Sequence, residues 1–232
     1  AGPAKTFAVR ARREGDFGMT SRELAARVGS AVLAACPGIT VDLDNPDYEL
    51  HVELRQTGGV VYDRRIPAPG GLPLGTQGRV LALLSPGIDS PVAAWLMLKR
   101  GCEIVALHVS HGDGEDPSTL PGTLRNLAIL SGWCRGFPLR LFVADAGPFY
   151  EKLAGLHNQR FTCVLCKRFM LRLGTLLARR EGIAALCTGD NLGQVASQTL
   201  ANMVVISNAA GIPVFRPLIT FDKQEIVTLA RK

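Results

Sequence analysis

The chain has 232 residues, of which 47% are hydrophobic and 20% are charged, and its formal net charge is +6. This length allows one or two domains with a buried core, and the composition excludes a disordered or fibrous protein. No apolar run approaches the length of a membrane span. Six cysteines without regular spacing and no secretory leader argue against a disulfide scaffold, so we expect a cytoplasmic protein.

The positive charge is concentrated in two stretches of the chain. Such clusters attract polyanions such as RNA, but charge alone favours the simpler interpretation of solvated surface residues. The basic residues are Arg10, Arg12, Arg13, Arg22 and Arg27 in the first stretch, and Lys167, Arg168, Arg172, Arg179 and Arg180 in the second.

The first part of the chain predicts a small α+β unit. "TFAVRARR" alternates apolar and polar residues like a half-buried strand, and "TSRELAARVGSAVLAAC" has the apolar stripe of a helix. Two further strand patterns flank a Gly-Gly pair, which is typical of a hairpin. The predicted elements are a strand at 6–13, a helix capped by Thr20 or Ser21, and strands at 48–55 and 60–66 around Gly58-Gly59.

From residue 79 onward, apolar strands alternate with helices, after a Pro- and Gly-rich stretch (67–78) that we interpret as a linker. Apolar strands separated by helices predict a doubly wound parallel sheet, an α/β fold. In such sheets the ligand binds beyond the carboxyl ends of the strands. The predicted strands lie at 79–85, 103–110, 139–146, 183–189 and 213–218, and the helices begin near 90, 119, 148, 163, 192 and 222.

The stretch "LLSPGIDSP" lies at the first of these strand ends. Gly87 permits close backbone approach, Asp89 or Ser90 can cap the next helix, and Pro91 fits its first position. The exposed N–H groups of a helix start predict an anion site. The stretch lacks the glycines and lysine of a P-loop or dinucleotide fingerprint, and a generic strand-to-helix turn uses many of the same residues.

The stretch "CVLCKRFM" places Cys163 and Cys166 on one face of a helix, from which they could reach a metal, a cluster or each other. Two thiolates are only half of a tetrahedral zinc site, and a pair of buried apolar cysteines is the alternative. The adjacent Lys167 and Arg168 would lower a thiol pKa and would also suit a phosphate.

The stretch "CTGDNLGQVASQTLANM" ends a strand at Gly189 and predicts a helix from about 192, capped by Asp190 or Asn191. Gln198 would lie in the first turns of that helix. Polar groups at this edge of the sheet can hydrogen-bond a base or a ribose. An ordinary cap with a solvated face is the alternative.

Together these stretches resemble the tRNA 4-thiouridine synthetases, also called tRNA sulfurtransferases, of the type that has a CxxC pair and lacks a rhodanese domain. By this resemblance, residues 1–66 are part of an RNA-binding THUMP domain. Residues 79–232 are an adenine-nucleotide α hydrolase-like (PP-loop) ATP pyrophosphatase domain. Because the chain starts with Ala-Gly-Pro and stops inside the helical "EIVTLARK", we expect further sequence at both ends. The resemblance is carried by "VDLDNPDYELHVELR", "GGLPLGTQG", "LLSPGIDSPVAAWLMLKRGCEIVALH", "CVLCKRFM" and "TGDNLGQVASQTL".

The resemblance implies ATP-dependent formation of 4-thiouridine at position 8 of tRNA. ATP and Mg²⁺ would adenylate the uridine with release of pyrophosphate, and sulfur from sulfide or a cysteine desulfurase persulfide would displace AMP. Some members also supply sulfur for thiamine thiazole synthesis, and the rhodanese-lacking subgroup is thought to hold an iron–sulfur cluster. The implied partners are tRNA and the sulfur donor, and the sequence leaves the oligomeric state open, a homodimer included.

Matching positions imply roles for individual residues. Asp89 would be catalytic, and Cys163 and Cys166 would be catalytic and would hold the cluster with a third cysteine beyond Lys232. Cys187 is the nearest substitute for that third ligand by sequence position. The residues implied to bind the nucleotide are Leu83, Leu84, Ser85, Gly87, Ser90, His108, Val109, Lys167, Gly189 and Gln198.

Two positions depart from the family pattern. Pro86 replaces a glycine and removes one N–H donor, and a lost charge-assisted hydrogen bond costs about 1.5–3 kcal/mol. Asp190 replaces a glutamate, which shortens the reach of the carboxylate. These departures keep two alternatives open: a catalytically impaired protein that binds RNA and nucleotide, or a related PP-loop ligase that acts on a small molecule.

Overall fold

The structure is a computed structural model that describes residues 4–112, 116–155 and 159–231. The chain divides into two compact units, Ala1–Ala68 and Pro69–Lys232. Within the described ranges, no helix combines the length and the apolar character needed to cross a membrane.

The first unit is a mixed sheet with one face packed against a helix. Its strand order is β2-β1-β3-β4, with β1 parallel to both β2 and β3 and with β3 antiparallel to β4. The helix begins as predicted at a capping box, in which Thr20 and Glu23 satisfy each other's backbone N–H groups. The elements are β1 (Thr6–Glu14), α1 (Ser21–Ala35), β2 (Thr40–Val41), β3 (Tyr48–Arg55) and β4 (Gly58–Tyr62).

The hairpin of this unit turns two residues earlier than the Gly-Gly pair predicts. Arg55 pairs with Gly58 and Leu54 pairs with Gly59, so both glycines lie inside β4 and the turn is Gln56-Thr57. The Gly-Gly signal was therefore misplaced, because the register of the strand pair, rather than the glycine positions, decides where the chain reverses.

The second unit is a parallel sheet whose strand order is β7-β6-β5-β8-β9. The doubly wound α/β fold predicted from the sequence is confirmed. The strands are β5 (Arg79–Leu83), β6 (Glu103–Ser110), β7 (Arg140–Asp145), β8 (Ala185–Cys187) and β9 (Val214–Phe215), and the helices are α2 (Asp89–Lys99), α3 (Thr119–Trp133), α4 (Gly147–Ala154), α5 (Thr162–Arg180), α6 (Leu200–Ser207) and α7 (Lys223–Ala230).

Alternate residues of the central strands enter two separate cores. Val80 and Ala82 of β5 pack with α2, α3 and α7 on one face, and Leu81 packs with α5 and α6 on the other. Because both faces are covered, the strands are apolar throughout, which explains their sequence pattern. The chain runs outward through β5, β6 and β7 and then returns to β8 and β9. The point at which the strand order reverses therefore lies between β5 and β8.

The helix predicted from about residue 192 begins later, at Leu200. Thr199 accepts a hydrogen bond from the Asn202 N–H and caps the helix there. The preceding chain is tied to other segments, because the Leu192 N–H donates to the Ile219 carbonyl. Asp190 and Asn191 are favourable cap residues, but the predicted start was wrong because their side chains bind other segments. Asp190 accepts from Lys167, and Asn191 donates to the Leu218 carbonyl.

Residues 67–78, predicted as a linker, contribute to both units. Residues 69–78 belong to the second unit, where the Leu72 N–H donates to the Lys99 carbonyl over 3.0 Å. The N–H groups of Gly75 and Gln77 donate to the Gly101 carbonyl over 2.9 and 3.1 Å. This segment therefore packs along the end of α2.

The central strands are the most sensitive to truncation of a side chain. Leu186 of β8 is fully buried, so Leu186→Ala should lower the free energy of unfolding by about 2–5 kcal/mol. Leu176→Ala is the matched control, because Leu176 of α5 is 66% exposed, and its effect should stay within about 0.5 kcal/mol. Urea unfolding followed by the fluorescence of Trp95 and Trp133, both in the second unit, checks this expectation. Equal losses in the two variants would contradict the burial of β8.

Candidate functional site

A cavity of about 520 Å³ opens at the carboxyl ends of β5, β6 and β8, next to the point where the strand order reverses. This is the place where open α/β sheets bind ligands. Its size suits a nucleotide-sized ligand. The predicted site residues in its wall are Leu83, Leu84, Ser85, Asp89, Ser90, His108, Val109, Lys167 and Gly189, and Pro86 and Asp190 lie there too.

We call residues 85–90 the phosphate loop. Ser90 does not cap α2 as the sequence predicts: its Oγ accepts a hydrogen bond from the Ser85 N–H over 2.9 Å and lies 3.0 Å from Ser85 Oγ. The cap position is instead Ile88, which has no side-chain hydrogen bond to offer. The hydroxyl of Ser90 closes the loop, and the N–H groups at the start of α2 stay without a side-chain cap. Such a helix start favours an anion.

Asp89, the predicted catalytic residue, lies in the first turn of α2 and in the cavity wall. Its Oδ1 accepts a hydrogen bond from Lys223 Nζ over 2.7 Å. Gly189, at the end of β8, lies against this turn: a Cβ added to it would be 2.8 Å from the Asp89 carbonyl carbon and from the Ser90 nitrogen. Only glycine therefore allows β8 to approach the start of α2 this closely.

Lys167 of α5 is held by a buried carboxylate. Its Nζ donates to Asp190 Oδ1 over 2.6 Å, and Asp190 Oδ2 accepts from Thr188 Oγ1 over 2.8 Å. Arg216 Nε lies 3.4 Å from the same Oδ2. Two cations thus share one carboxylate, so this three-residue cluster carries one positive charge in excess. A positive charge at that place favours a phosphate ligand.

The charge state of Asp190 follows from these neighbours. Burial raises its pKa, but the Lys167 ammonium, with a hydrogen bond from Thr188, outweighs burial and holds the pKa below the ordinary value of 3.8. Asp190 therefore stays ionised at neutral pH.

His108 lines the cavity but is nearly inaccessible to solvent, with 2% of its surface exposed. Its Nδ1 lies 3.2 Å from the Leu84 carbonyl oxygen and 3.2 Å from Thr123 Oγ1. The imidazole therefore ties the end of β5 to α3.

Gly87 and Gln198 were predicted to bind the nucleotide but do not lie in the cavity wall. The amide of Gln198 is buried. In the orientation that satisfies both of its polar atoms, its nitrogen donates to the Asn191 carbonyl over 3.0 Å and its oxygen accepts from the Asn191 N–H over 3.2 Å. Gln198 thus supports the chain that follows β8. The contact of Gln198 with a nucleotide stays a prediction.

Sequence reasoning missed several members of the site. Arg216 follows β9 directly and reaches Asp190 from the neighbouring strand. Thr188 follows β8 and was passed over in favour of Gly189. A polar residue at the carboxyl end of a parallel strand was the available signal for both. The apolar members that were missed are Leu107, Met170, Leu171 and Ile206.

The cysteines of "CVLCKRFM" lie in the first turn of α5, outside the cavity wall. Cys163 is exposed and Cys166 is half-buried, with its Sγ 2.9 Å from the Tyr150 hydroxyl. Burial raises the pKa of Cys166, and the hydrogen bond with Tyr150 and the nearby Lys167 only partly offset this. Lys167 thus lowers the pKa of Cys166 as expected, but desolvation of the thiolate outweighs its charge and the net shift is upward.

A chain of contacts leads from this thiol to the cavity. The ring of Tyr150 lies against the ring of His111, with centroids 3.8 Å apart, and His111 lines the cavity. The Cys166 side chain is thus one aromatic residue away from the cavity wall.

The cysteine pair does not by itself make a metal centre. In the described ranges no group of three or more His, Cys, Asp or Glu side chains is placed to hold a metal ion. Cys187 does not supply the third ligand: it is buried in β8, and burial raises its pKa to about 12. The described residues therefore offer two thiols and do not complete an iron–sulfur site.

Comparisons with known proteins match both units. The family model described as "Thiamine biosynthesis protein (ThiI)" matches residues 75–232, and the THUMP domain model matches residues 1–62. A crystal structure of a 4-thiouridine synthetase–RNA complex with bound ATP is 35% identical and covers 99% of this chain and 60% of its own, with a TM-score of 0.82.

Two curated relatives from archaea are similar over most of this chain. The "Probable tRNA sulfurtransferase" of Methanothermobacter thermautotrophicus is 44% identical over 97% of this chain and 58% of its own length. The "tRNA sulfurtransferase" of Pyrobaculum aerophilum is 42% identical over 98% of this chain and 46% of its own length. The chain thus spans about half the length of these relatives.

The ion pairs of Asp190 should make the free energy of unfolding depend on pH. Asp190→Asn leaves Lys167 and Arg216 without a counter-charge and should lower the free energy of unfolding by about 3 kcal/mol at pH 7. Because the folded-state pKa of Asp190 is depressed, its contribution is present above 3.8 and is lost as the pH falls through the lower folded-state value. The difference between wild type and variant should therefore shrink in acid. Urea unfolding between pH 7 and pH 2.5 measures it, and a constant or growing difference would contradict the assignment.

Proposed function

The chain belongs to the ThiI family, and from this premise we propose that it forms the ATP-using part of a tRNA sulfurtransferase that makes 4-thiouridine. The observation that carries the proposal is the fit of nearly the whole chain to a 4-thiouridine synthetase in complex with RNA and ATP. The cavity adds independent support, because it combines a helix start, a lysine and an apolar wall.

ATP would lie with its phosphates at the phosphate loop. The uncapped N–H groups of α2 would donate hydrogen bonds to the phosphate oxygens, and the Lys167 ammonium would balance part of their negative charge. Leu83, Val109 and Met170 give the cavity an apolar wall for a purine. The nucleotide would therefore span the point between β5 and β8.

Activation of the uridine would be an attack of its 4-oxo oxygen on the α-phosphorus of ATP. A new P–O bond forms to the uridine, and the bond from the α-phosphorus to the bridging oxygen breaks, so that pyrophosphate leaves. The Lys167 charge and the start of α2 would stabilise the negative charge that grows on the leaving group. The buried Asp190 keeps Lys167 at that place.

The cavity also fits a magnesium ion that is carried by the phosphates. Mg²⁺ usually keeps several waters and binds one or two carboxylates together with substrate phosphates. Asp89 and Asp116 both line the cavity and would be those carboxylates. The ion would supply charge neutralisation of the triphosphate.

The sulfur step would use the cysteine pair. Sulfide would attack C4 of the adenylated base directly, and AMP would leave with the former uridine oxygen. With a persulfide donor, the outer sulfur would pass to Cys163 and then attack C4 with loss of AMP. The Cys166 thiol would next break the S–S bond, which releases 4-thiouridine and leaves a Cys163–Cys166 disulfide that an external thiol reduces. Cys163 is exposed and can meet a donor, and Cys166 approaches the cavity through Tyr150 and His111. No step is assigned to an iron–sulfur cluster, because the described residues supply only two thiols for it.

The first unit would bind the tRNA, as its THUMP match supports. One face of the sheet carries Arg10 and Arg12 at alternate positions of β1. Arg10 is paired with Glu49 over 2.8 Å, whereas Arg12 is exposed. Arg12 in turn pairs in register with Glu53, so the THUMP match, rather than a positive surface charge, supports RNA binding by this unit.

The activation step is tested by ATP–pyrophosphate exchange in the presence of a tRNA transcript and Mg²⁺. Lys167→Ala and Asp89→Ala should each lower the exchange rate by about a hundredfold or more, because Lys167 places positive charge at the phosphates and Asp89 would hold the Mg²⁺ that they carry. Lys152→Ala is the control, since Lys152 is an exposed lysine in the last turn of α4, and its rate should stay within about twofold. Nucleotide binding without exchange in the wild-type chain would instead favour a catalytically impaired protein.

Substitution of the cysteines should separate activation of the uridine from sulfur transfer. Cys163→Ser and Cys166→Ser should abolish 4-thiouridine, measured by mass spectrometry of digested tRNA, while ATP–pyrophosphate exchange stays within about twofold of wild type. Cys36→Ser is the control, because Cys36 is also an exposed free cysteine and follows α1 in the other unit. Full thiolation by both serine variants would remove the pair from the mechanism.

A further inference from the structure

We propose that α3 is a clamp that holds the phosphate loop in its binding conformation, with Asn126 as the positioning residue and Gly122 as the seat for Pro86. The role of the loop as an ATP site rests on the proposed function. The contacts that form the clamp do not depend on it.

The phosphate loop has few backbone donors. Pro86 and the following Pro91 carry no N–H, and the Ser85 N–H is already given to Ser90 Oγ. The N–H groups left for an anion are those of residues 87–90. An anion site with so few donors depends on how rigidly they are oriented before the ligand arrives.

Asn126 holds the loop on both sides of Pro86. Its Nδ2 donates to the Ser85 carbonyl oxygen over 2.9 Å and lies 3.3 Å from the Gly87 carbonyl oxygen. The C=O and N–H groups of a trans peptide point in opposite directions, and the described chain has no cis peptide bond. A Gly87 carbonyl that faces α3 therefore turns the Ile88 N–H away from α3.

Gly122 makes room for the proline ring. A Cβ added to Gly122 would lie 2.6 Å from Pro86 Cβ, which is far inside van der Waals contact. Gly122 is buried one helical turn before Asn126, so both contacts come from the same side of α3. The ring that removes a donor from the loop thus also fixes the loop against a helix.

A third contact extends the clamp to the end of β5. Thr123, next to Gly122, lies 3.2 Å from His108 Nδ1, which in turn lies 3.2 Å from the Leu84 carbonyl oxygen. The carbonyl groups of residues 84, 85 and 87 are therefore all engaged on the α3 side. We infer that this arrangement preorganises the remaining N–H groups and compensates for the donor that Pro86 lacks.

The contact between Gly122 and Pro86 is tested by substituting each of the two residues. Gly122→Ala should weaken ATP binding by about tenfold or more, measured by calorimetry on the 232-residue chain, because the methyl group displaces Pro86. Binding of adenosine, which has no phosphate, should change by less than about twofold. In a Pro86→Gly background the same Gly122→Ala change should have little effect, since the ring it strikes is gone.

Gly132→Ala is the matched control on the same helix, because a Cβ at that position meets no atom within 4 Å. It should leave ATP binding within about twofold. Equal effects of the two alanines, equal losses for ATP and adenosine, or a full Gly122→Ala effect without the proline would each overturn the clamp.

Asn126→Leu tests the hydrogen bonds without a large change in volume. Hydrogen–deuterium exchange of the Ser85 amide, which donates to Ser90 Oγ, should become faster by about tenfold or more in the absence of nucleotide, while exchange in β6 stays unchanged. Unchanged exchange in the loop would overturn the role of Asn126. A wild-type chain that binds no ATP would refute the proposed function. The hydrogen–deuterium exchange measurement would still show whether Asn126 holds the loop.

Discussion

The interaction on which the cavity at the sheet edge depends is the ion pair between Asp190 and Lys167. A lysine that is largely withdrawn from water needs a counter-charge, and the Asp190 carboxylate lies 2.6 Å from its ammonium. Because Arg216 shares the same carboxylate, the cluster keeps one positive charge in excess. Within the proposed function, this cluster would hold the phosphates directly, and Asp89 and Asp116 would face them through a bound Mg²⁺.

The fold brings this cluster to the phosphate loop. Parallel strands end at one edge of the sheet, and the reversal of strand order leaves a gap between β5 and β8 in which a ligand fits. Gly189 lets the end of β8 touch the start of α2, so that Asp190 and Asp89 border the same cavity. The short Asp190 side chain, in place of the glutamate expected from the family resemblance, still reaches Lys167 because α5 packs directly on β8.

The contacts with α3 give Pro86 a structural role that the sequence does not show. As a sequence feature it is only a missing donor in an anion-binding turn. In the fold its ring rests on Gly122, and the carbonyl groups on either side of it are engaged by Asn126. A loop with fewer donors is therefore also a loop with less freedom, and reduced freedom lowers the entropic cost of binding.

The sequence by itself determined the fold class, most strand positions and the turn between β5 and α2, because strand periodicity and turn residues act over a few neighbouring residues. It misplaced the hairpin turn at Gly58-Gly59 and the start of α6. Only the tertiary structure decided that Arg216 joins Asp190, that Gln198 turns to Asn191, and that burial raises the pKa of Cys166. These three outcomes depend on which distant segments meet and how much water they exclude, and neither is encoded in local spacing.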